Sequence, residues 1–540
     1  MAFADESSKP RWNLRVLGAL ALLLCLAAAL DTFVAFRMSA TTDEKFHVSY
    51  GRNILRAQPD RLPKFNSQMP VSVFNAMPGA VASYLDDRKR LPRVSSLLNS
   101  FRATRFATIF ATLLLSVFIF LWVSELYGTR PALAACLLAT LSPSLIAHGT
   151  LATTDMYHAV GVVGALYFVR RYFLRPSWLH MVLGGVSLAL AQLTKPFALS
   201  LYAVVAIVML CAAFRLRGMA ALRRRNVVVF AVTALLFFVV VINLAYSFDR
   251  TFIPIRSYRF DSNALVRLQQ LPVLRDVPVP LPYPFLQGID MIKHHEEAGI
   301  SFGNIYMLGQ LGNALDPAFH GFKLYYAVAV FFKEPIALQI LFVSGLIWIW
   351  RRRSLEEFLF GEGLLLGAAG FLFIWFSFFS RAQIGIRHIL PALAVEIIIA
   401  GAAFHGFSTM PRPKKAVLTG LVAWLAISAG SYFPDMIPYM NEWNYDRRYS
   451  YRILADSNLD WLQNEAEVRD FLRKNKDVTF NPTGPASGRI LVSANRLTGV
   501  DRWHPSLTWI AKRYRPVAHV GYAHFLFIVP AEDVTKSAGN

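Results

Sequence analysis

Long apolar runs occur along the whole sequence, and the short connections between them carry Lys and Arg. A helix needs roughly 20 apolar residues to cross the hydrocarbon core of a bilayer. Hydrophobic residues make up 55% of the chain and charged residues only 16%, whereas soluble domains carry about 25% charged residues. These features predict a polytopic, all-α membrane protein of about eleven spans. The candidate spans cover residues 14–36, 106–126, 131–147, 156–170, 178–194, 196–213, 227–247, 324–349, 359–379, 389–408 and 415–433.

The net charge of +21 follows the connections between spans and is not gathered in one polar region. Strongly basic connections such as "RRYFLRPS" and "WRRRSLEE" all fall on one side of the predicted membrane. Because short cytoplasmic loops carry an excess of Lys and Arg, we expect a cytoplasmic N-terminus and an extracytoplasmic C-terminus. Proteins that bind nucleic acid cluster their basic residues on one surface, so no nucleic-acid partner is predicted.

The long segments outside the spans fall on the extracytoplasmic side in this topology. They are the loops 37–105 and 248–323 and the tail 434–540. The tail combines a helical pattern with strand-like apolar runs, which indicates a small extracytoplasmic α/β domain. We therefore predict a transmembrane domain over 1–433, including both loops, and a C-terminal domain over 434–540. The chain has no Gly-rich phosphate loop, which argues against an ATP-driven pump.

An acidic cluster follows the first span almost directly. Asp43, Glu44 and His47 come within a few residues of its end, and on a helix Asp43 and His47 share one face. Carboxylates this close to hydrocarbon are costly unless they are paired or functional. They could act as a general base, or hold a divalent cation together with Asp155. An ordinary hydrated charge cluster at the membrane surface is the alternative.

More charged residues gather at the same predicted membrane face. Asp155 lies at the outer mouth of the fourth span, and Lys195 lies in a very short external turn. Lys333 and Arg387 lie at later external edges, and His388 follows Arg387 directly. Lys and Arg beside hydrocarbon suit the phosphate of a lipid carrier. Each basic residue alone could instead be an interfacial side chain, and it is their coincidence that favours a site.

Several of these residues lie in motifs that occur in the same order in a known family. The motifs "TTDEKFHVSYGRNIL", "LIAHGTLATTD", "IGIRHILP" and "DSNLDWLQ" resemble those of bacterial membrane glycosyltransferases. The resemblance is to the enzymes related to protein O-mannosyltransferases and lipid A aminoarabinose transferases, and it runs from about residue 40 to 530. It implies a GT-C fold in a bacterial inner membrane, with the C-terminus in the periplasm, and transfer of a sugar from a polyprenyl-phosphate carrier at the periplasmic face.

The resemblance also implies roles for individual residues. Asp43 would be the base that deprotonates the acceptor, and Lys195 and Arg387 would lie near the phosphate of the donor. Where the family has glycine in its "DWGQ" motif, this chain has Leu462. The predicted catalytic residues are Asp43, Glu44 and Asp155. The predicted substrate-binding residues are His47, Lys195, Lys333, Arg387, His388, Asn458 and Asp460.

The resulting hypothesis is an inverting, hexosyl- or mannosyl-type transferase that uses a polyprenyl-phosphate sugar. Its acceptor would be a protein, a lipid or a glycan, and its only cofactor would be a divalent cation, if any. Two alternatives come from other classes: a transporter or flippase of lipid-linked solutes, and a non-catalytic scaffold of the cell envelope. Transporters place charges near mid-membrane and carry inverted repeats, and the sequence has no evident repeat.

Overall fold

A computed structural model describes residues 12–60, 68–88, 91–215, 224–299 and 303–532. The described residues are mostly helical, with small sheets in the loop 248–323 and in the tail. From the N-terminus to the end of the seventh predicted span, the helices are α1 (Leu14–Arg37), α2 (Thr42–Leu55), α3 (Val73–Asp87), α4 (Pro92–Leu98), α5 (Phe106–Leu126), α6 (Thr129–Leu141), α7 (Pro143–Gly149), α8 (Asp155–Leu174), α9 (Trp178–Ala191), α10 (Ser200–Arg215) and α11 (Arg224–Ala245).

The second half of the chain continues with short helices in the loop 248–323, more apolar helices, and short helices in the tail. They are α12 (Asn263–Gln270), α13 (Pro272–Arg275), α14 (Tyr283–Ala298), α15 (Tyr325–Lys333), α16 (Ile336–Arg352), α17 (Leu355–Phe360), α18 (Glu362–Phe378), α19 (Leu390–Ala400), α20 (Arg412–Gly430), α21 (Glu465–Lys474), α22 (Ala494–Thr498) and α23 (Thr508–Arg513).

The apolar helices support a multi-pass membrane protein. Within the described residues, four stretches are long and apolar enough to cross a membrane: Leu14–Arg37, Phe101–Leu126, Arg225–Ala245 and Ile386–Thr409. Two bent pairs pass the same criterion together, α6 with α7 at an angle of 63° and α15 with α16 at 111°. Length and composition therefore identify four to six spans, and the count of eleven stays a prediction.

The strands form two separate sheets. β1 (Asn304–Met307) and β2 (Gln310–Asn313) make an antiparallel hairpin in the loop 248–323. In the tail, β3 (Val478–Phe480), β4 (Gly488–Ser493), β5 (Ala518–Val520) and β6 (His524–Val529) form a sheet in the order β3-β4-β6-β5. In this sheet β3 pairs with β4 in parallel, and the pairs β4–β6 and β5–β6 are antiparallel.

The tail sheet is buried on both faces. On one face Val468 of α21 packs with Leu491 and Leu526 in a small apolar cluster. On the other face Ile490 and Phe525 belong to the main apolar core, which is continuous with the membrane helices. The predicted helix and strands of the tail are thus present, and the division of the chain at residue 433 stays a prediction.

A buried lysine ties the tail to the bend between α15 and α16. Pro335 has no backbone N–H to donate to the preceding turn, so α15 ends before it and α16 begins after it. The ammonium group of Lys333 donates to the carbonyl of Ile437 at 2.5 Å and to that of Asn458 at 2.7 Å. Because Lys333 is only 3% exposed, these bonds fix the main chain of the tail against the helical part.

A second buried charge fixes α2 against the end of α1. Glu44 and Arg105 form a two-pronged ion pair, with N–O distances of 2.8 and 2.7 Å, and both side chains are almost fully buried. Arg105 also donates to the carbonyls of Ala35 and Ser39 at 2.7 and 2.8 Å. A forked guanidinium matches a carboxylate and neighbouring carbonyls in one plane, so this contact orients α2 as well as holding it.

We predict that Arg105→Met strongly destabilises the protein. Removing one partner of a buried ion pair leaves the other charge uncompensated, which costs about 3–5 kcal/mol. Thermal unfolding of the purified protein in detergent measures the change. Arg102→Met is the matched control, because Arg102 is exposed and its guanidinium lies over the ring of Phe36 at 5.4 Å. Equal stability of the two variants would contradict a structural role for the Glu44–Arg105 pair.

Candidate active site

The start of α2 sends its two adjacent acids in different directions. A capping box closes the helix: the backbone N–H of Thr41 donates to Glu44 at 2.9 Å, which turns Glu44 back towards the helix end. Successive residues of a helix point about 100° apart. Glu44 therefore enters the Arg105 network, whereas Asp43 faces a different set of partners. An acid in the first turn is also favoured by the positive end of the helix dipole.

Arg387 connects Asp43 to Asp155. It lies in a short 3₁₀ turn, Ile386–Ile389, just before α19, and donates to Asp43 Oδ2 at 2.7 Å. The same guanidinium nitrogen lies 3.9 Å from Asp155 Oδ2. Its planar head lies 4.1 Å from the ring centre of Trp461, which supports it from the tail. One cation thus brings together carboxylates that are far apart in sequence.

Lys195 completes the arrangement on the other side of Asp155. Its ammonium group forms an ion pair and hydrogen bond with Asp155 Oδ1, and Thr153 Oγ1 donates to Oδ2 at 2.9 Å. Asp155 is the first residue of α8, and Lys195 lies in the connection between α9 and α10. Both oxygens of Asp155 are therefore engaged by this chain's own residues.

We call the sequence Asp43–Arg387–Asp155–Lys195 the ion-pair chain. Its members come from four separate places in the sequence, and their side chains differ in exposure. Asp43 is 30% exposed, compared with 14% for Lys195, 8% for Arg387 and 3% for Asp155. The two acids and two bases balance in charge. Asp43 is the member most open to an incoming molecule.

Two of the predicted site residues are histidines that lie near the ion-pair chain, the buried His47 and the half-buried His388. The charges of Asp43 and Asp155 act on His47, yet burial dominates and lowers its pKa. Among the described residues, His47 Nδ1 and His388 Nε2 have no hydrogen-bond partner. The ring of His388 packs against Phe376 with 5.3 Å between ring centres. Each imidazole therefore has a nitrogen available for a polar group of a bound molecule.

Four other predicted site residues make bonds that hold the site in place. Glu44 has both oxygens occupied, since the backbone N–H of Ala152 donates to it at 2.8 Å in addition to Arg105. The known bonds of Lys333 go to main-chain carbonyls.

Asn458 and Asp460 of the tail also bond within the protein. The Asn458 amide donates to Tyr325 Oη at 2.9 Å and accepts from the Ile386 N–H at 3.1 Å. Asp460 accepts from the Leu462 N–H at 3.3 Å.

Asp456 is a site residue that sequence reasoning left without a role. The hydroxyl of its neighbour Ser457 donates to the Ile384 carbonyl. This hydrogen bond holds that part of the tail against the turn that carries Arg387. The charges of Arg387 and Asp43 act on Asp456, and burial raises the pKa of its carboxyl to about 7. Its φ of +56° is another unusual feature, because few residues other than glycine adopt that conformation. In the sequence, the only feature that points to Asp456 is its place as the first acid of "DSNLDWLQ".

The leucine that departs from the family pattern keeps the turn that a glycine would favour. Leu462 has φ of +70°, in the left-handed region. For an ordinary L-residue that region costs roughly 1–2 kcal/mol. A hydrogen bond from the Trp461 N–H to Gln463 Oε1, at 2.7 Å, helps to hold the turn. The left-handed turn therefore forms with leucine at this position.

A divalent cation does not fit the arrangement of the three acids. No cluster of three or more His, Cys, Asp or Glu residues in the described part of the chain could hold a metal ion. Glu44 is committed to Arg105 and Asp155 to Lys195, so neither offers the free carboxylate oxygens that Ca²⁺ or Mg²⁺ requires.

Comparison with solved structures gives loose likenesses over much of the chain. ArnT from Cupriavidus metallidurans bound to undecaprenyl phosphate matches with a TM-score of 0.49 and 13% identity, over 95% of this chain and 98% of that one. The apo form of that protein matches with a TM-score of 0.46 and 13% identity, over 96% and 99%. The Archaeoglobus fulgidus oligosaccharyltransferase tethered to an acceptor peptide gives 0.39 and 15% identity, over 76% of this chain and 54% of that one.

Comparison by sequence matches a shorter part of the chain than comparison by structure. No curated protein matches the chain. A family model does match residues 94–245, a stretch that includes Asp155 and Lys195 but not Asp43 or Arg387. That family is described as dolichyl-phosphate-mannose-protein mannosyltransferase. Over residues 94–245, this match confirms the resemblance to membrane glycosyltransferases related to the protein O-mannosyltransferases that the motifs indicate.

Proposed function

We propose that this protein is an inverting glycosyltransferase that moves a sugar from a polyprenyl-phosphate carrier to an acceptor at the periplasmic face of the membrane. The ion-pair chain is the observation that supports the proposal most directly. It combines a partly exposed carboxylate with two cations, which are the groups that a reaction of this kind needs. The family model matched over residues 94–245 supports the same class of chemistry.

Asp43 is the proposed general base. It is the most exposed member of the ion-pair chain, so an acceptor hydroxyl or amine can reach it. As the acceptor's oxygen or nitrogen forms a bond to the anomeric carbon, its proton passes to the carboxylate of Asp43. The bond from the anomeric carbon to the phosphate oxygen breaks in the same step, so the configuration at that carbon is inverted.

Arg387 and Lys195 are proposed to bind the phosphate of the donor. A lipid phosphate is already a good leaving group and needs positive charge more than it needs a proton. In the ion-pair chain these two cations are neutralised by Asp43 and Asp155. An incoming phosphate would therefore compete with both carboxylates. Competition at Arg387 would also loosen its hold on Asp43 and leave that carboxylate free to accept a proton.

Glu44 is proposed as a positioning residue that acts through Asp43. Its two oxygens are occupied by Arg105, Ala152 and the Thr41 cap, which leaves no lone pair directed at a substrate. The bonds of Lys333, Asn458 and Asp460 favour the same kind of role. His47 and His388 remain proposed contacts to the sugar or the acceptor.

We predict that Asp43→Asn abolishes sugar transfer while the protein remains folded. An amide has nearly the same shape as the carboxylate but cannot accept the proton, and loss of a general base lowers rates by about 10²- to 10⁴-fold. The measurement is mass spectrometry of envelope glycans and glycoproteins from cells that carry each variant. Asp86→Asn is the matched control, because Asp86 is an exposed acid on α3 in the same loop.

Each rival class of function predicts a different result for this pair of variants. A transporter or a scaffold would keep the wild-type glycan profile with Asp43→Asn, provided that the protein folds. That result would reject the proposed transfer reaction. A change of the same size in Asp86→Asn would instead assign the effect to the general charge of the loop.

We also predict a pH dependence that arises from Asp456. Its carboxyl has a pKa of about 7, so it loses its proton as the pH rises through neutrality. The ionised form places another negative charge beside Arg387, which opposes binding of the anionic donor. At low donor concentration, the rate of transfer in membrane vesicles should therefore fall as the pH rises from 6 to 8, and Asp456→Asn should remove this fall.

Asp470→Asn serves as the control for that profile. Asp470 is an exposed acid on α21 that pairs with Arg473, so its replacement should leave the fall intact. Any rise in rate that comes from deprotonation of the acceptor will be common to all three proteins. Persistence of the fall in Asp456→Asn would show that another group is responsible for it.

A further inference from the structure

A groove lies between α6 and α20, at the end of α19 opposite to the ion-pair chain. Arg387 comes just before α19, whereas the groove is lined by Phe404, which comes just after it. The groove has a volume of about 520 Å³. It is therefore separate from the proposed active site and plays no part in the proposed reaction.

The groove has an apolar floor with a cation on each side. On α6, Arg130 is followed at helical spacing by Leu133 and Leu137, so all three lie on one face. On α20, Lys415 is followed by Val422, again on the face that lines the groove. Each helix thus offers a basic residue in its first turns and apolar residues further along.

Contacts within the connections place the two cations at the same end of the groove. His405 Nδ1 lies 3.1 Å from the carbonyl of Tyr127, so the segment after α19 runs beside the connection that leads to Arg130. The ammonium group of Lys415 donates to the carbonyl of Ser408 in that same segment at 2.7 Å. Arg130 and Lys415 are therefore both adjacent to the segment 405–408.

The two cations still have donors for a ligand. Arg130 is exposed, and within the described residues no ion pair or hydrogen bond occupies its guanidinium. A lysine ammonium has three donors, and the Ser408 carbonyl accounts for one from Lys415. An apolar groove that ends in two cations matches a molecule with one anionic head and a long apolar chain.

We propose that this groove binds an anionic phospholipid of the surrounding membrane, with the phosphate between Arg130 and Lys415 and an acyl chain along Leu133, Leu137 and Val422. In the predicted topology, this end of the helices is cytoplasmic. The cytoplasmic leaflet is rich in anionic lipids, and basic pockets between membrane helices on that side bind their head groups. The site is independent of the transfer reaction.

The experiment compares lipid retention by the full chain in mixed micelles that contain phosphatidylglycerol and phosphatidylethanolamine. Native mass spectrometry counts each lipid bound to the wild type and to three variants. The double variant Arg130→Ala with Lys415→Ala removes both cations, and Ala134→Phe fills the groove without changing any charge. The double variant Arg412→Ala with Lys414→Ala is the control, since it removes two exposed charges that do not line the groove.

We expect the wild type and the control to retain phosphatidylglycerol in preference to phosphatidylethanolamine. Loss of two cations near an anionic head group should weaken that binding by about 30-fold. Ala134→Phe should also lose the lipid, because the acyl chain then has no room. Circular dichroism and size-exclusion chromatography of each variant establish that the loss does not come from unfolding.

Other results would overturn the proposal. Equal retention of the two lipids would mean that the groove does not select a charge. An equal loss in the control would assign the effect to the general basic surface, and retention in either test variant would place the lipid elsewhere. Displacement of phosphatidylglycerol by added undecaprenyl phosphate at the same stoichiometry would assign the groove to a carrier lipid.

Discussion

The contact of the Arg387 guanidinium with two carboxylates is the constraint on which the rest of the site depends. Buried charges lose their hydration, and their mutual attraction compensates for that loss only when the geometry is good. The ion-pair chain is neutral as a whole, which allows four charged side chains to share a mostly buried place. The same neutrality makes it responsive, because an anion that binds to Arg387 or Lys195 competes for that cation with a carboxylate already paired to it.

Other buried charges hold this arrangement in register without belonging to it. The Glu44–Arg105 pair joins α2 to the end of α1 and so sets the position of Asp43. Lys333 donates to the Asn458 carbonyl and joins the tail to the bend before α16. Asp43 and Glu44 are thus neighbours in sequence but differ in their bonding. Both oxygens of Glu44 are occupied by hydrogen bonds within the protein, whereas Asp43 is partly exposed and can contact a substrate.

The sequence predicts most of the apolar helices, since hydropathy is a local property, and the membrane face on which their charged ends lie stays a prediction. It does not show which of the acids Asp43 and Glu44 is structural and which is open to a substrate. Glu44 and Asp43 are neighbours, and which of them points inwards depends on Arg105, a partner 61 positions away. In the same way, nothing local shows that Lys333 donates to main-chain carbonyls of the tail. Acids inside the bundle, such as Glu396 in α19, were also missed, because a single acid hardly changes the hydropathy of a run.

The segment from Asp456 to Gln463 shows how the tail contributes to a site formed mainly by membrane helices. Asp456 and Leu462 both have positive φ, a conformation that costs free energy for residues with a side chain. Such strain persists only where surrounding contacts impose it, and here those contacts are the bonds of Asn458 and the turn at Trp461. Because the strained turns place the Trp461 ring beneath Arg387, the tail supports the cation that both carboxylates share.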